Sequence, residues 1–381
     1  MNKQIIPIIN SSESVEIKQS TGPAHIRRVA KRDIEKDLLD TLGEKFGKRF
    51  SEYRTDYNRI AAGAGNNEIL PYPLTLTIET VNRCNLACVM CHLPHFEKTK
   101  TTLNAESLVK IFEEAEAIGV PAILIGNGHE PLLYKEVDSL IDEAVKHQIM
   151  DLLLFTNGHL LNKDRVEKIL NSGVTRVFIS LDAATEETYN KIRRARSDGS
   201  RREGRLHQVE ENIRYLVARR DELGLKLPIV RVSFVMQVEN VHEIPAFKDK
   251  WIDVVDAVDF QRLTSHSSIE TLELLSEEER WKERPPADHF LRLTPEARYC
   301  HYPFDTLAVW SDGNVGPCCA YQGKNLVVGN INEQTLGEIW NGEKMTRLRK
   351  QHIDGNMNVV CQDCLATSDF SIINNHTDII G

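Results

Sequence analysis

The stretch Thr77–Pro94, TIETVNRCNLACVMCHLP, decides how the rest of the chain reads. It holds three of the eight cysteines, Cys84, Cys88 and Cys91, at spacings of four and three, directly after an apolar extended run. The other five cysteines all lie beyond residue 299. A disulfide uses two thiols and a closed zinc site wants four ligands, so three thiols on one loop describe a metal centre with one position left open. Three thiolates can hold three irons of a [4Fe–4S] cluster and leave the fourth iron to a small ligand. A three-thiolate zinc site is the simpler rival.

Outward from this loop, short apolar strands alternate with amphipathic helices. The strands read at 74–80 (LTLTIET), 122–126 (AILIG), 151–156 (DLLLFT), 175–181 (TRVFISL), 229–236 (IVRVSFVM) and 257–263 (AVDFQRL). Helical patterns fall near 104–118, 134–147, 163–171, 205–223 and 240–252. Such alternation predicts an α/β fold, a parallel sheet with helices packed outside it. Six units are too few for a closed eight-stranded barrel, so the expectation is a partial (β/α)6 TIM-like barrel.

The barrel region spans 74–266. Before it, residues 1–73 read as an N-terminal extension: a polar arm to about 25, then helical periodicity with dense opposite charges at i, i+4 from Ile26 to Ile60. Residues 267–299 read as a polar linker with a helix, and 300–381 as a small C-terminal unit. That unit has a hairpin signal turning at Asp312-Gly313, a helix near 335–350, and a closing CQDC.

The 381 residues, 41% hydrophobic and 27% charged, predict one large globular domain with smaller units attached. A net charge of −9 argues against a nucleic-acid partner. No apolar run is long enough to cross a membrane, and MNKQIIPIINSSESVEIK has no signal-peptide core. The expected location is cytoplasmic, where clustered cysteines read as metal ligands rather than disulfides.

The C-x3-C-x2-C loop after the first strand resembles that of the radical S-adenosylmethionine (SAM) enzymes, whose open iron chelates the amino and carboxylate groups of SAM. The residue before the third cysteine is usually aromatic in that family; here it is Met90. This fold places ligands at the carboxyl ends of its strands, and the resemblance continues there. Gly128-His129-Glu130 matches the Gly-Gly-Glu stretch that binds the SAM amino group, with His129 replacing a glycine. Thr156-Asn157-Gly158 is a turn common at the next strand end. Ser180-Leu181-Asp182 resembles the ribose-contact motif, and Arg193 or Arg194 is implied to meet the SAM carboxylate. Each piece alone is a tight turn or a helix cap; in order, at successive strand ends, they agree over roughly residues 74–263.

Beyond the barrel, Cys300, Cys318 or Cys319, Cys361 and Cys364 supply four soft ligands from distant segments, which suit either zinc or iron–sulfur. CHYPFDTLAVWSDGNVGPCC, VVGNI, IWNGEKM and CQDC together resemble the SPASM/twitch extension of radical SAM enzymes. A full SPASM domain needs about seven cysteines for two clusters, and five occur here. The resemblance therefore implies the twitch version, with one auxiliary [4Fe–4S] cluster on Cys300, Cys318, Cys361 and Cys364. Cys319 is then a small buried neighbour, a substitute ligand, or a hydrogen-atom donor to substrate. His92 and His95 read as polar loop residues. Gln261, Arg262 and His266 close the sixth strand, where substrate is often held, although a solvated loop explains them equally well.

The resemblance implies a reaction. One electron through the open cluster splits SAM into methionine and a 5′-deoxyadenosyl radical, which takes hydrogen from an unactivated C–H bond. Twitch-type sugar and aminocyclitol dehydrogenases, which the cysteine arrangement resembles, pass the substrate's electron to the auxiliary cluster. The expectation is redox-neutral oxidation of a secondary alcohol on a sugar or aminocyclitol, with a flavodoxin or ferredoxin-type donor. An epimerase using Cys319 is the alternative within this chemistry. A peptide-modifying maturase is another, although residues 1–73 lack the strand-and-helix pattern of a leader-binding module. A non-enzymatic iron–sulfur or zinc-stapled scaffold is the reading outside enzymes.

Overall fold

The structure is a computed structural model and describes residues 17–19, 26–63, 68–93, 100–126, 128–194, 205–263, 269–286, 288 and 298–366. Its strands in chain order are β1 Ile17–Gln19, β2 Ile26–Ala30, β3 Thr75–Ile78, β4 Ala122–Ile125, β5 Asp151–Thr156, β6 Arg176–Ser180, β7 Ile229–Met236, β8 Ala257–Arg262, β9 Thr306–Val309, β10 Asn314–Gly316 and β11 Gly329–Asn330. β3 to β8 lie side by side in sequence order, every neighbour parallel. These are the six expected strands of an unclosed barrel.

Their formation follows from alternation. Leu76, Ile78, Leu152, Leu154, Val177 and Ile179 point to one face and are fully or almost fully buried there beneath the helices. The crossover helices start on side-chain caps: Asn104 accepts from the Ser107 N–H at 2.7 Å, and Asn162 from the Arg165 N–H at 2.9 Å. Gly119, at φ +88°, ends the first of them in the left-handed conformation that favours glycine. A short helix, Glu186–Ile192, also forms where none was expected.

The sheet is longer than the barrel at both ends. β9 adds in parallel beside β3, with Thr75 opposite Thr306 and Ile78 opposite Val309. The hairpin from β9 to β10 turns at Asp312-Gly313, as expected, with Gly313 at φ +86°. At the other end, the expectation of helix from Ile26 is corrected: Ile26–Ala30 is β2, antiparallel to β8. The bare edge of β8 takes up this segment, and Arg28 Nε donates to Asp259 at 2.6 Å across the pair. The helices of the extension start only at Ile34, where Asp33 accepts from the Lys36 N–H at 3.0 Å.

Helices Ile34–Phe46 and Lys48–Ala61 bury Leu38, Leu42, Phe50, Tyr53 and Ile60 against Leu74, Ala122 and Ile229, residues that open β3, β4 and β7. They therefore close the amino end of the barrel and leave the carboxyl end to ligands. The helix expected near 335–350 is two, Leu336–Asn341 and Glu343–Asp354, separated at Gly342. Among the described residues, no helix is long and apolar enough to cross a membrane.

Candidate active site

The three-cysteine loop leaves β3 and is tied down by its backbone. Ala87 N donates to Arg194 O at 2.7 Å, Val89 N to Ile192 O at 3.0 Å, and Cys91 N to Cys88 O at 3.0 Å. Main-chain N–H groups are aimed at the sulfurs: Leu86 N lies 3.4 Å from Cys84 Sγ, and Leu93 N 3.4 Å from Cys91 Sγ. Asn157 Nδ2 adds a third donor, 3.7 Å from Cys84 Sγ. Thiolates accept such bonds far better than thiols do, so these donors suit metal-bound sulfur. Without a cation, burial pushes the Cys84 thiol well up and the Cys88 thiol to about 11. Among the described residues no three Cys, His, Asp or Glu side chains converge on one ion. A cluster does not ask for that, because each thiolate binds a different iron.

The loop after β4 faces these cysteines. Gly128, at φ +76°, presents its carbonyl to the Tyr321 hydroxyl at 3.0 Å, and a Cβ there would lie 2.7 Å from that oxygen. His129 Nε2 accepts from Thr80 N at 3.3 Å, so the histidine in the glycine's place holds the loop to the end of β3. Glu130 is 1% exposed and accepts from Thr156 Oγ1 at 2.8 Å, Asn157 N at 2.8 Å and Leu132 N at 3.2 Å. Burial nevertheless pushes its carboxyl up to about 7, against these three donors.

Asp182 is fully buried at φ +63°. Its oxygens accept from Arg193 Nη2 at 2.5 Å and from Val235 N at 2.8 Å. Both candidate carboxylates are thus engaged inside the protein. Ser180 is half-buried at the end of β6, and the buried Nε of Arg193 has no partner among the described residues. Arg194 is exposed and bonds Lys191 O, so of the two arginines only Arg193 is buried beside Asp182. Met90 is half-buried in the cysteine loop, and His92 sets its ring edgewise to Tyr321 at 6.1 Å. Gln261 is half-buried in β8. His95, His266 and the Arg262 side chain lie outside the described residues.

The second group of cysteines shares one cavity. Cys300, Cys318, Cys361 and Cys364 line it together with Tyr302, Gly323, Leu348 and His352. Cys361 and Cys364 stand one helical turn apart on helix Val359–Ala366. A Cβ on Gly323 would lie 2.5 Å from Cys318 Sγ, so only glycine makes room for that sulfur. Burial raises all four thiols, Cys361 to about 12. Cys319 does not line the cavity; Tyr302 hydrogen-bonds to it instead.

A turn links the two groups. Tyr321–Asn325, which follows Cys318-Cys319 after the single residue Ala320, places the Tyr321 hydroxyl oxygen 3.6 Å from Cys91 Sγ. Lys324 Nζ donates to Glu79 Oε2 at 2.7 Å, and Ser311 Oγ to Glu79 Oε1 at 2.8 Å. Tyr321, Lys324, Glu79 and His352 were not singled out from sequence, because no local spacing marks them.

Comparison with known proteins identifies two domains. The radical SAM superfamily pattern matches residues 78–249, and the iron–sulfur cluster-binding SPASM domain matches 300–365. Residues 78–249 thus carry a radical SAM domain and residues 300–365 a SPASM domain. The radical SAM domain implies a [4Fe–4S] cluster and SAM, and the SPASM domain implies auxiliary iron–sulfur. The chain is 30% identical over 172 residues to a probable GTP 3′,8-cyclase from Methanocaldococcus jannaschii, covering 45% of this chain and 52% of that one. It is 29% identical over 214 residues to a GTP 3′,8-cyclase from Clostridium botulinum, covering 53% and 62%. The chain thus spans somewhat over half the length of the curated relatives it matches. The solved structure of anSMEcpe with bound AdoMet and Cp18Cys peptide superposes at a TM-score of 0.52 and 16% identity, over 77% of this chain and 88% of that one. That likeness establishes the fold alone.

Proposed function

We propose that this radical SAM protein oxidises a secondary alcohol of a small sugar or aminocyclitol to a ketone, consuming SAM. The observation that carries this reading is the cavity whose walls already supply four cysteines. A cluster with every iron bound by the protein has no site for substrate and serves as an electron carrier. When bound, SAM and its cluster supply the hydrogen-abstracting power that no side chain has.

The residues divide the remaining work. Cys84, Cys88 and Cys91 would hold the open cluster, and Cys300, Cys318, Cys361 and Cys364 the auxiliary one. The Gly128 backbone would meet the SAM ammonium, Arg193 Nε its carboxylate and Ser180 its ribose. Glu130 and Asp182 fix the strand ends that present these groups. On the inner side of the strands, Arg231 lies 3.5 Å over the Phe178 ring and 3.1 Å from Asp259, a polar wall suited to a small polar substrate. The balance would close with the substrate carbon losing a hydrogen atom, its hydroxyl a proton and the resulting radical one electron to leave C=O; Cys300, Cys318, Cys361 and Cys364 would hold the group that supplies the electron acceptor.

The test is anaerobic reconstitution with a flavodoxin or ferredoxin-type donor and a panel of sugar alcohols, aminocyclitols and GTP, run in heavy water. Methionine, 5′-deoxyadenosine and a ketone are the expected products. Solvent label at a retained C–H bond would replace this reading by an epimerase with Cys319 as the returning donor. A cyclised GTP product would replace it by the activity named for the curated relatives.

A further inference from the structure

We propose that His352 donates a ring N–H to sulfur of the auxiliary cluster and raises its reduction potential, making it a better electron acceptor. The inference rests on the auxiliary-cluster reading above and adds a residue that no cysteine motif marks.

His352 lies in the last turn of helix Glu343–Asp354 and lines the same cavity as the four cysteines. Both of its ring nitrogens are buried and without a hydrogen-bond partner among the described residues. Its ring meets Phe304 edge-on at 6.4 Å; Gln322 and Tyr302 also line the cavity and carry oxygen acceptors, but neither is bonded to the His352 ring. Leaving a buried N–H unanswered is costly, and buried polar groups are nearly always paired. A cavity ringed by sulfur supplies the missing acceptor once a cluster fills it.

Direct iron ligation fits less well, because four thiols already match four irons. A hydrogen bond has a defined electronic effect. The reduced cluster carries one more negative charge than the oxidised one, so an N–H aimed at its sulfur stabilises the reduced form and raises the potential. His352 is therefore a positioning residue for the electron that leaves the substrate, and it need not touch substrate.

The test uses the full chain carrying Cys84→Ala, Cys88→Ala and Cys91→Ala, so that only the auxiliary cluster assembles. About four irons per chain are expected; an iron-free protein would sink the auxiliary-cluster reading and this inference with it. With iron present, reduced protein containing 15N-histidine should show a weak nitrogen coupling by pulsed EPR. His352→Leu should remove that coupling and lower the reduced-to-oxidised ratio at fixed potential about tenfold, the effect of one hydrogen bond to a charged acceptor. His352→Gln, which keeps an N–H, should recover part of the ratio. A ratio within twofold of the parent in His352→Leu, with the coupling intact, would overturn the proposal. So would selective loss of auxiliary iron in both variants, which would mark a ligand instead.

Discussion

Tyr321 donates its hydroxyl hydrogen to the Gly128 carbonyl at 3.0 Å, while the same oxygen stands 3.6 Å from Cys91 Sγ. One side chain from the C-terminal segment thereby touches both a candidate cluster ligand and the loop expected to hold SAM. Gly128→Ala tests the arrangement, because the new Cβ would fall 2.7 Å from Tyr321 Oη at a positive φ. We expect about 1–3 kcal/mol of lost stability and at least a tenfold weaker SAM affinity, read by thermal melts and equilibrium dialysis. Tyr321→Phe keeps the ring and should cost much less stability. Unchanged SAM binding in Gly128→Ala would mean this loop does not reach SAM.

The choice between adjacent thiols can be read from iron. Cys318 lines the cavity and Cys319 faces Tyr302. In reconstituted protein, Cys318→Ser should lower iron from about eight to about four per chain, whereas Cys319→Ser should leave it near eight. The reverse pattern would exchange their roles.

Glu130 predicts a pH effect whose sign can be worked out. Its carboxyl titrates near 7 in the folded protein against an ordinary 4.5. Between those values the folded chain keeps a proton that the unfolded chain has released. The group's contribution is therefore full below pH 4.5 and lost as the pH rises to about 7. Burial lowers His159 and His352 to about 4, and their contribution runs the other way: full above 6.5 and lost as the pH falls toward 4. A raw stability curve mixes the two, so the useful quantity is the difference between the parent and Glu130→Gln in metal-free protein. That difference should shift by about 3 kcal/mol against the parent from pH 4.5 to 7 in denaturant titrations. A flat difference would show that Glu130 is ionised throughout.

Glu79 is 2% exposed and holds the end of β3 to the linking turn through Lys324. Lys324→Met strands that carboxylate with Ser311 alone and should cost about 3 kcal/mol, seen as a lower urea midpoint at unchanged slope. Ser311→Ala, which removes a neutral donor, should cost about 1 kcal/mol. Equal, small effects would mean the carboxylate relaxes into solvent.

What could be read from the chain was what is local. β3 to β8 announce themselves because each buries one face under a helix, and the cysteine loop because its ligands lie within eight residues. β2 escaped notice because IRRVA carries its alternation in only five residues before a genuine helix begins. Glu130 and Asp182 follow β4 and β6 in the chain, yet a motif cannot say whether a carboxylate faces a ligand or its own neighbours. Tyr321, Lys324 and His352 stayed hidden because their meaning depends on partners or a cavity assembled from remote segments.

The pairing of Thr75 with Thr306 has a consequence for synthesis. β3 emerges from the ribosome about 230 residues ahead of the strand that covers its outer edge. At ordinary elongation rates that edge waits roughly 10–50 s, offering unpaired N–H and C=O groups to any nascent chain nearby. Slower growth at low temperature, or added chaperone, should raise the soluble yield of this protein more than it would for a barrel whose first strand pairs early.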